Sequence, residues 1–179
     1  MSKKILVICG SPRVDSHSDV LAKAFATGAQ EGGNVVEVIK LTEKNIAACS
    51  GCAACRKSAN NDCILNDDMQ GLYKQVIEAD IFAFATPLYF LTVSAQLKAF
   101  IDRLYCLHHS RKIRDKKCVL ITTSGGLGSD VFIDYFTALC NLLGWENAGI
   151  VSHGGLGGAS SAVPCEEIKK EAYELGINL

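Results

Sequence analysis

The chain has 179 residues, and hydrophobic residues make up 49% of it. This length suits one domain, and this composition excludes global disorder. A net charge of −1 argues against nucleic acid as the main partner. The apolar run after the first lysines is too short for a signal peptide, and the apolar stretch 81–97 contains Pro87 and several polar residues, so it falls short of a membrane span. We expect a cytoplasmic protein with no membrane partner.

Five short apolar runs predict strands at 4–10, 34–41, 80–86, 117–125 and 148–155. Four of them are almost continuously apolar, which is typical of parallel strands covered on both faces. The second run is interrupted by Glu37 and Lys40, which indicates an edge strand.

Helical patterns fill the gaps, at 18–31, 67–79, 94–106, 130–143 and 165–175. Asn66 is a plausible cap for the second helix, with Asp67 and Asp68 in its first turn. The regular alternation, with no linker or repeat, predicts one doubly wound α/β domain over 1–179 with a cysteine-rich loop at 47–66. Function is then expected at the carboxyl ends of the strands, near the switch point.

The loop after the first strand reads GSPRVDSHS and leads into a helix. A helix N-terminus binds anions, and Ser11, Ser16, Ser18 and Arg13 add hydroxyls and charge. The loop has neither a GxGxxG pattern nor a Walker lysine, so a single terminal phosphate fits better than a dinucleotide pyrophosphate. Helix capping by Ser16 or Ser18 is a second role that does not by itself explain Arg13.

Two later loops follow the third and fourth strands. The stretch 86–103 contains Pro87 and the flat side chains of Tyr89 and Phe90, and 122–129 reads TTSGGLGS, with small residues and free N–H groups. Together with the first loop they suit a flat heterocycle with a phosphorylated tail. Ordinary core packing is an equally open interpretation of Tyr89 and Phe90.

The sequence CSGCAACRKSANNDC places Cys49, Cys52, Cys55 and Cys63 in one short segment. Thiols in the cytoplasm stay reduced, so a metal or redox role is favoured over disulfides. The spacing is that of ferredoxin-type clusters, whereas zinc sites usually pair two CxxC units across a longer gap. A cluster, zinc, and vacant or redox-active thiols all remain open.

The segment RKIRDKK at 111–117 has two interpretations. It is either a solvated loop before a buried strand or a dock for an anionic partner or a cofactor phosphate.

Several of these motifs together resemble a known family. GSPR with a following serine, TPLYF leading to LKAFIDR, and TTSGG are similar to the flavodoxin-like NAD(P)H-dependent FMN reductases, over about 3–155. The cysteine run followed by NDDM resembles their iron–sulfur flavoprotein branch. The resemblance implies a flavodoxin-like five-stranded parallel sheet in the order 2-1-3-4-5, with helices on both faces.

The resemblance also implies the cofactors and their residues. FMN would have its phosphate held by Ser11, Arg13, Ser16, His17 and Ser18, although His17 stands where relatives often carry an amide. The ring and ribityl chain would contact Pro87, Leu88, Tyr89, Phe90, Thr123, Ser124 and Gly125. Cys49, Cys52, Cys55 and Cys63 would ligate one [4Fe–4S] cluster.

The function expected from this resemblance is that of an FMN-dependent oxidoreductase. A ferredoxin-like carrier would supply electrons if the cluster is present, and NAD(P)H would reduce the flavin directly if it is absent, with quinones as acceptors. The alternative of another class is a flavodoxin-like electron carrier without its own substrate. No side chain stands out as an acid–base catalyst. A homodimer or homotetramer is expected, with 88–91 and 49–63 as candidate contacts.

Overall fold

The strands of this protein form one parallel sheet. The computed structural model describes residues 2–60, 62–126, 129–154 and 166–179. The strands are β1 Lys4–Cys9, β2 Val35–Lys40, β3 Ile81–Pro87, β4 Lys117–Thr123 and β5 Glu146–His153. Every neighbouring pair is parallel, in the order β2-β1-β3-β4-β5. The predicted fold class and strand order are confirmed.

The helices are α1 His17–Glu31, α2 Ala54–Lys57, α3 Met69–Glu78, α4 Ala95–Arg103, α5 Tyr105–His109, α6 Ser129–Leu143 and α7 Glu166–Ile177. Two of them were not predicted: α2 is a single turn inside the cysteine loop, and the expected helix 94–106 is divided at Leu104 into α4 and α5. Gly155 and Cys165, at the limits of the predicted last strand and helix, lie outside the described residues.

Two apolar layers enclose the sheet. Helices α3, α4 and α6 cover one face through side chains such as Leu72, Leu97 and Phe136. Helices α1 and α7 cover the other face through Leu21 and Ala172. Because both faces are covered, the inner strands are apolar along almost their whole length. In the described parts of the chain, none of the helices combines the length and apolarity needed to cross a bilayer.

The two edges of the sheet are β2 and β5. The interrupted pattern of β2 correctly indicated an edge. The expectation that β5 is covered on both faces is wrong, since Val151 is its only fully buried residue within Glu146–His153. An outermost strand lies at the margin of both helix layers, so its faces stay partly open.

The start of α3 differs from the prediction. The helix begins at Met69, so Asn66 is not its cap, and Asp67 and Asp68 lie before the first turn. Their carboxylates are engaged elsewhere: Asp68 accepts from the Asn45 N–H across 2.7 Å, and Asp67 accepts from the Ala47 N–H across 3.0 Å. The two aspartates therefore bind the chain that precedes the cysteines.

Candidate functional site

The first loop ends in a capping box. Ser16 Oγ accepts from the Asp19 N–H across 3.2 Å, and Asp19 Oδ2 accepts from the Ser16 N–H across 3.3 Å. Val20 N–H bonds to the Ser16 carbonyl. In the described part of the chain, this leaves the His17 and Ser18 N–H groups at the tip of α1 without an acceptor. The S-x-x-D spacing at 16–19 is a sequence signal for this cap that the sequence analysis did not use.

The first loop and the start of α1 carry three hydroxyls and one cation. Ser11 and Ser18 are buried, and Ser11 Oγ accepts from the Arg13 N–H across 3.2 Å. The hydroxyls of Ser16 and Ser18 are 3.1 Å apart. The Arg13 side chain is exposed and forms no ion pair with any described residue. The loop and the helix start therefore contain free N–H groups, hydroxyls and a positive charge, which are the components of an anion site.

A half-buried acid, Asp19, lies in the first turn of α1. Burial raises the pKa of the Asp19 carboxyl, while hydrogen bonds from Ser16 and the charge of Lys40 oppose that shift. Burial, followed by the charge of Asp19, raises the pKa of Cys9 to about 12. Cys9 is therefore a protonated thiol and packs as a small apolar side chain.

The second loop turns back tightly after β3. Tyr89 N–H donates to the Thr92 carbonyl across 2.9 Å, and Thr92 N–H donates back across 3.1 Å. The two residues between them, Phe90 and Leu91, have φ angles of 47° and 65°. The Phe90 side chain is fully exposed, so core packing is wrong for Phe90. Tyr89 is 36% exposed. Leu88 is half-buried against the core.

The third loop continues the end of β4. Thr123 is buried, Ser124 is half-buried and Gly125 is exposed. Thr123 O accepts from the Leu88 N–H across 2.8 Å, which joins the second loop to the third. Residues 127–128 of the predicted loop 122–129 lie outside the described residues.

Ser94, at the cap of α4, connects the first loop to the second. Its hydroxyl donates to the Gly10 carbonyl across 2.5 Å, and its N–H donates to Thr86 Oγ1 across 3.1 Å. Gly10 N–H in turn donates to the Ala85 carbonyl across 2.8 Å. All three loops thus lie at the carboxyl edge of the sheet, next to the switch point between β1 and β3. The sequence analysis did not single out Ser94, although a serine directly before a helical pattern is a recognisable capping signal.

The four cysteines of the loop border one cavity of about 830 Å³. Its other walls are helical, with Ile101 from α4, Tyr105 from α5 and Leu139 from α6. Cys49 and Cys52 are exposed, and Cys55 and Cys63 are half-buried.

The thiols share this cavity without converging on one point. No three Cys, His, Asp or Glu side chains of the described ranges lie close enough to hold one metal ion. Burial raises the pKa of Cys55, and the neighbouring Cys63, Cys49 and Cys52 add to the shift. The N–H of Ala54, at the start of α2, lowers the pKa of Cys52. Cys52 therefore ionises more readily than Cys55.

The basic segment 111–117 enters β4 at its amino end, opposite the three loops. Lys112 donates to the Asn60 carbonyl across 3.0 Å, and Lys116 donates to the Ile77 and Ala79 carbonyls. Ile113 within the segment is buried. These contacts favour the interpretation of a loop before a buried strand.

Comparisons with known proteins agree with this architecture. The family model for NADPH-dependent FMN reductase matches residues 3–153. An iron–sulfur flavoprotein of Archaeoglobus fulgidus is 33% identical over 98% of this chain and 78% of its own length. An iron–sulfur flavoprotein of Methanocaldococcus jannaschii is 28% identical over 91% of this chain and 86% of its own length. Among solved structures, an NAD(P)H:quinone oxidoreductase from Methanothermobacter marburgensis superposes with a TM-score of 0.73 over 99% of both chains, at 18% identity.

The fold and these matches define a flavin-dependent oxidoreductase of the flavodoxin-like class. The chain belongs to the NADPH-dependent FMN reductase family, in the branch that contains the iron–sulfur flavoproteins. The resemblance drawn from GSPR, TPLYF and TTSGG is thereby confirmed.

Proposed function

We propose that this protein is an FMN-dependent oxidoreductase whose first loop holds the FMN phosphate and whose cysteine loop holds a [4Fe–4S] cluster. The observation that carries the proposal is the tip of α1. There, the unpaired N–H groups of His17 and Ser18 directly follow Ser16, whose hydroxyl lies 3.1 Å from that of Ser18. Ser11 and Arg13 belong to the loop that leads into this helix tip. A phosphate monoester would accept these hydrogen bonds and offset the charge of Arg13.

The remaining FMN contacts are assigned to the two neighbouring loops. Pro87, Leu88, Tyr89 and Phe90 would face the ring, and the segment Thr123, Ser124 and Gly125 would contact the ring edge and the ribityl chain. The bond between Leu88 and Thr123 supports this assignment because it holds the two loops side by side. When bound, FMN supplies both hydride and single-electron chemistry. The protein residues bind and orient it, and no described side chain is required as a proton donor.

The cysteine loop suits an iron–sulfur cluster in the chemistry of its donors. Four thiols border one cavity, and thiolates are the usual ligands of such clusters. The family relatives named iron–sulfur flavoproteins support the same assignment. When bound, the cluster supplies one-electron transfer, so a ferredoxin-like protein is the matching donor.

A second candidate is a cluster-free NAD(P)H:quinone reductase with the same flavin site. The observation that favours it is the match of the NADPH-dependent FMN reductase family model to residues 3–153. In that case NAD(P)H reduces the flavin directly, and the four cysteines are free thiols.

Metal and flavin analysis of anaerobically purified protein distinguishes these functions. Iron with equimolar acid-labile sulfide and one FMN per chain supports the leading proposal. Absence of iron and sulfide, together with NAD(P)H-dependent quinone reduction, supports the second candidate. Zinc without sulfide overturns the cluster, and failure to bind added FMN overturns both. FMN binding without any turnover would instead indicate a simple electron carrier.

We also propose that the protein assembles as a homodimer or homotetramer. The exposed apolar side chains of Phe90 and Leu91 support this, since they lie in the candidate contact segment 88–91. Ile64, which directly follows the segment 49–63, is also exposed. Sedimentation velocity of the wild type and of Phe90→Ser tests it. A wild type that sediments as a monomer at micromolar concentration would contradict the proposal.

A further inference from the structure

A buried ion pair lies at the neck of the cysteine loop, which is the place where the chain at Ala47 and the chain at Leu65 come together. Arg103, the last residue of α4, bonds Asp67 through Nη1–Oδ2 at 2.5 Å and Nη2–Oδ1 at 3.1 Å. The side chains are 0% and 7% exposed. Two parallel bonds of this kind fix the relative orientation of guanidinium and carboxylate as well as their distance.

The same guanidinium binds the main chain on both sides of the cysteines. Nη1 donates to the Ala47 carbonyl across 3.0 Å, before Cys49. Nη2 makes a longer contact of 3.5 Å with the Leu65 carbonyl, after Cys63. Asp67 adds the bond that it accepts from the Ala47 N–H.

Neighbouring side chains of the described structure reinforce this neck. Gln70 Nε2 donates to the Cys63 and Leu65 carbonyls, each across 2.8 Å. Asp68 N–H donates to the Asn45 carbonyl across 3.2 Å. The two ends of the loop are therefore bound to each other and to α4.

The hydrogen-bond donors around Asp67 stabilise its carboxylate in the charged form. Burial alone would raise the pKa of Asp67, but the Arg103 guanidinium and the N–H groups of Ala47 and Met69 outweigh it and lower that pKa. A buried ion pair adds little stability compared with an apolar pair of similar volume. What an apolar pair would not supply is the set of hydrogen bonds to the loop backbone.

We propose that Arg103 and Asp67 are positioning residues that form a clasp, and that this clasp sets the arrangement of the four loop thiols. Ser94, which bonds Gly10, and Arg103 lie at opposite ends of α4, nine residues apart, or roughly 13 Å along a helix axis. The helix thus holds the cysteine loop at a fixed offset from the first loop. The effect of the clasp on a cluster rests on the proposed function, but its effect on the apo thiols does not.

Thiol labelling of the folded, metal-free protein tests the clasp directly. The variants are Arg103→Lys, Arg103→Met and the double variant Arg103→Met/Asp67→Leu. The control is Lys74→Met, which removes an exposed lysine of α3 that pairs with Glu78. Alkylation of each cysteine is followed by mass spectrometry, with Cys118 as an internal buried reference. Thermal unfolding reports global stability, and iron per chain is measured after reconstitution.

The clasp predicts that Cys55 and Cys63 are alkylated at least about tenfold faster in both Arg103→Met variants than in Lys74→Met, while Cys118 stays protected. The double variant should recover most of the lost thermal stability and still show fast labelling, because the Ala47 and Leu65 carbonyls have lost their donor. Arg103→Lys should be intermediate. Iron uptake should fall below half in the Arg103→Met variants.

Unchanged labelling of Cys55 and Cys63 in a folded double variant would overturn the clasp. So would equal acceleration at Cys118, since that would show general loosening. If the wild type takes up no iron, the cluster proposal fails, and the labelling rates alone decide whether the clasp exists. If Arg103→Met does not fold, Arg103→Lys and the double variant decide the question.

Discussion

Ser94 donates a hydrogen bond from its hydroxyl to the carbonyl oxygen of Gly10 across 2.5 Å, and this bond joins the first loop to the start of α4. The close approach depends on the absence of a side chain at position 10. A Cβ there would lie 2.7 Å from Leu97 Cβ and 3.0 Å from Ser94 Oγ.

Gly10→Ala should therefore lower the free energy of unfolding by about 1–3 kcal/mol through overpacking. It should also weaken FMN binding, because the first loop is displaced. Urea denaturation and FMN titration measure the two effects. Gly71→Ala is the matched control: no heavy atom lies within 4 Å of its added Cβ, and Ala favours the helix by about 0.5–1 kcal/mol. Equal effects of the two substitutions would contradict the packing argument.

Arg13→Ala should weaken FMN binding by about 1.5–3 kcal/mol, the range for a hydrogen bond to a charged group. The loss should shrink at high salt because the Arg13 side chain is exposed. Fluorescence titration of FMN measures it. Lys23→Ala, at an exposed position on α1, should leave the dissociation constant unchanged. An unaltered constant for Arg13→Ala would remove this residue from the phosphate site.

The turn at Phe90 and Leu91 combines positive φ angles with bulky apolar side chains. An L-residue in this region costs about 1–2 kcal/mol, and Asn-Gly is the pair that such a tight turn prefers. Replacement of the pair by Asn-Gly should raise the free energy of unfolding by about 1 kcal/mol while weakening flavin binding or self-association. The control Val38→Thr, which replaces a methyl group of an exposed β2 side chain by a hydroxyl, should stay within about 0.5 kcal/mol. Greater stability with full function would show that the two side chains have no functional role.

The thiols of Cys52 and Cys9 should differ strongly in reactivity. The pKa of Cys52 is lowered by the Ala54 N–H, whereas that of Cys9 is raised to about 12 by burial. Alkylation follows the thiolate and its exposure, so at neutral pH Cys52 should react at least about a hundredfold faster in the apo protein. Peptide mapping after timed alkylation measures this. The difference should vanish in urea, and comparable rates in the folded protein would contradict the burial of Cys9.

The ionisation of Asp67 makes the free energy of unfolding depend on pH in the acid range. Its pKa in the folded protein is below the ordinary value of 3.8, so its contribution is complete above about that pH and is lost as the pH falls through the folded pKa. Asp67→Asn should reduce this loss of stability at acid pH. It should also lower the free energy of unfolding by about 3–5 kcal/mol at neutral pH, because the Arg103 charge is left buried without its partner. Urea midpoints between pH 3 and pH 7 measure both effects, with the exposed Glu174→Gln as a control. If the loss of stability at acid pH is unchanged in Asp67→Asn, other groups produce it.

The positions of the strands and of the three polar loops follow from the sequence. Parallel strands covered on both faces need almost unbroken apolar runs, and a polar loop must follow each of them where the chain leaves the core. The runs that end at Cys9, Pro87 and Thr123 carry that signal locally. It places Ser11, Tyr89 and Ser124 at one edge of the sheet without any knowledge of tertiary contacts.

The contacts that shape the site were decided only by the tertiary structure. Ser94 reaches Gly10 across 84 positions of the chain, and Arg103 reaches Asp67 across 36. No local periodicity encodes such pairs, because each depends on how two elements pack. The divided helix at Leu104 and the partly open β5 arise from the same packing.

In the cysteine loop, the sequence and the tertiary structure determine different properties. By itself the sequence determined that Cys49, Cys52, Cys55 and Cys63 lie within one short segment, because chain connectivity limits how far apart they can be. The folded chain decided that this segment is closed by Arg103 and that its thiols border one cavity without meeting at one point. Spacing bounds the separation of side chains, whereas the direction of each thiol is set by backbone angles and by the packing of the loop neck.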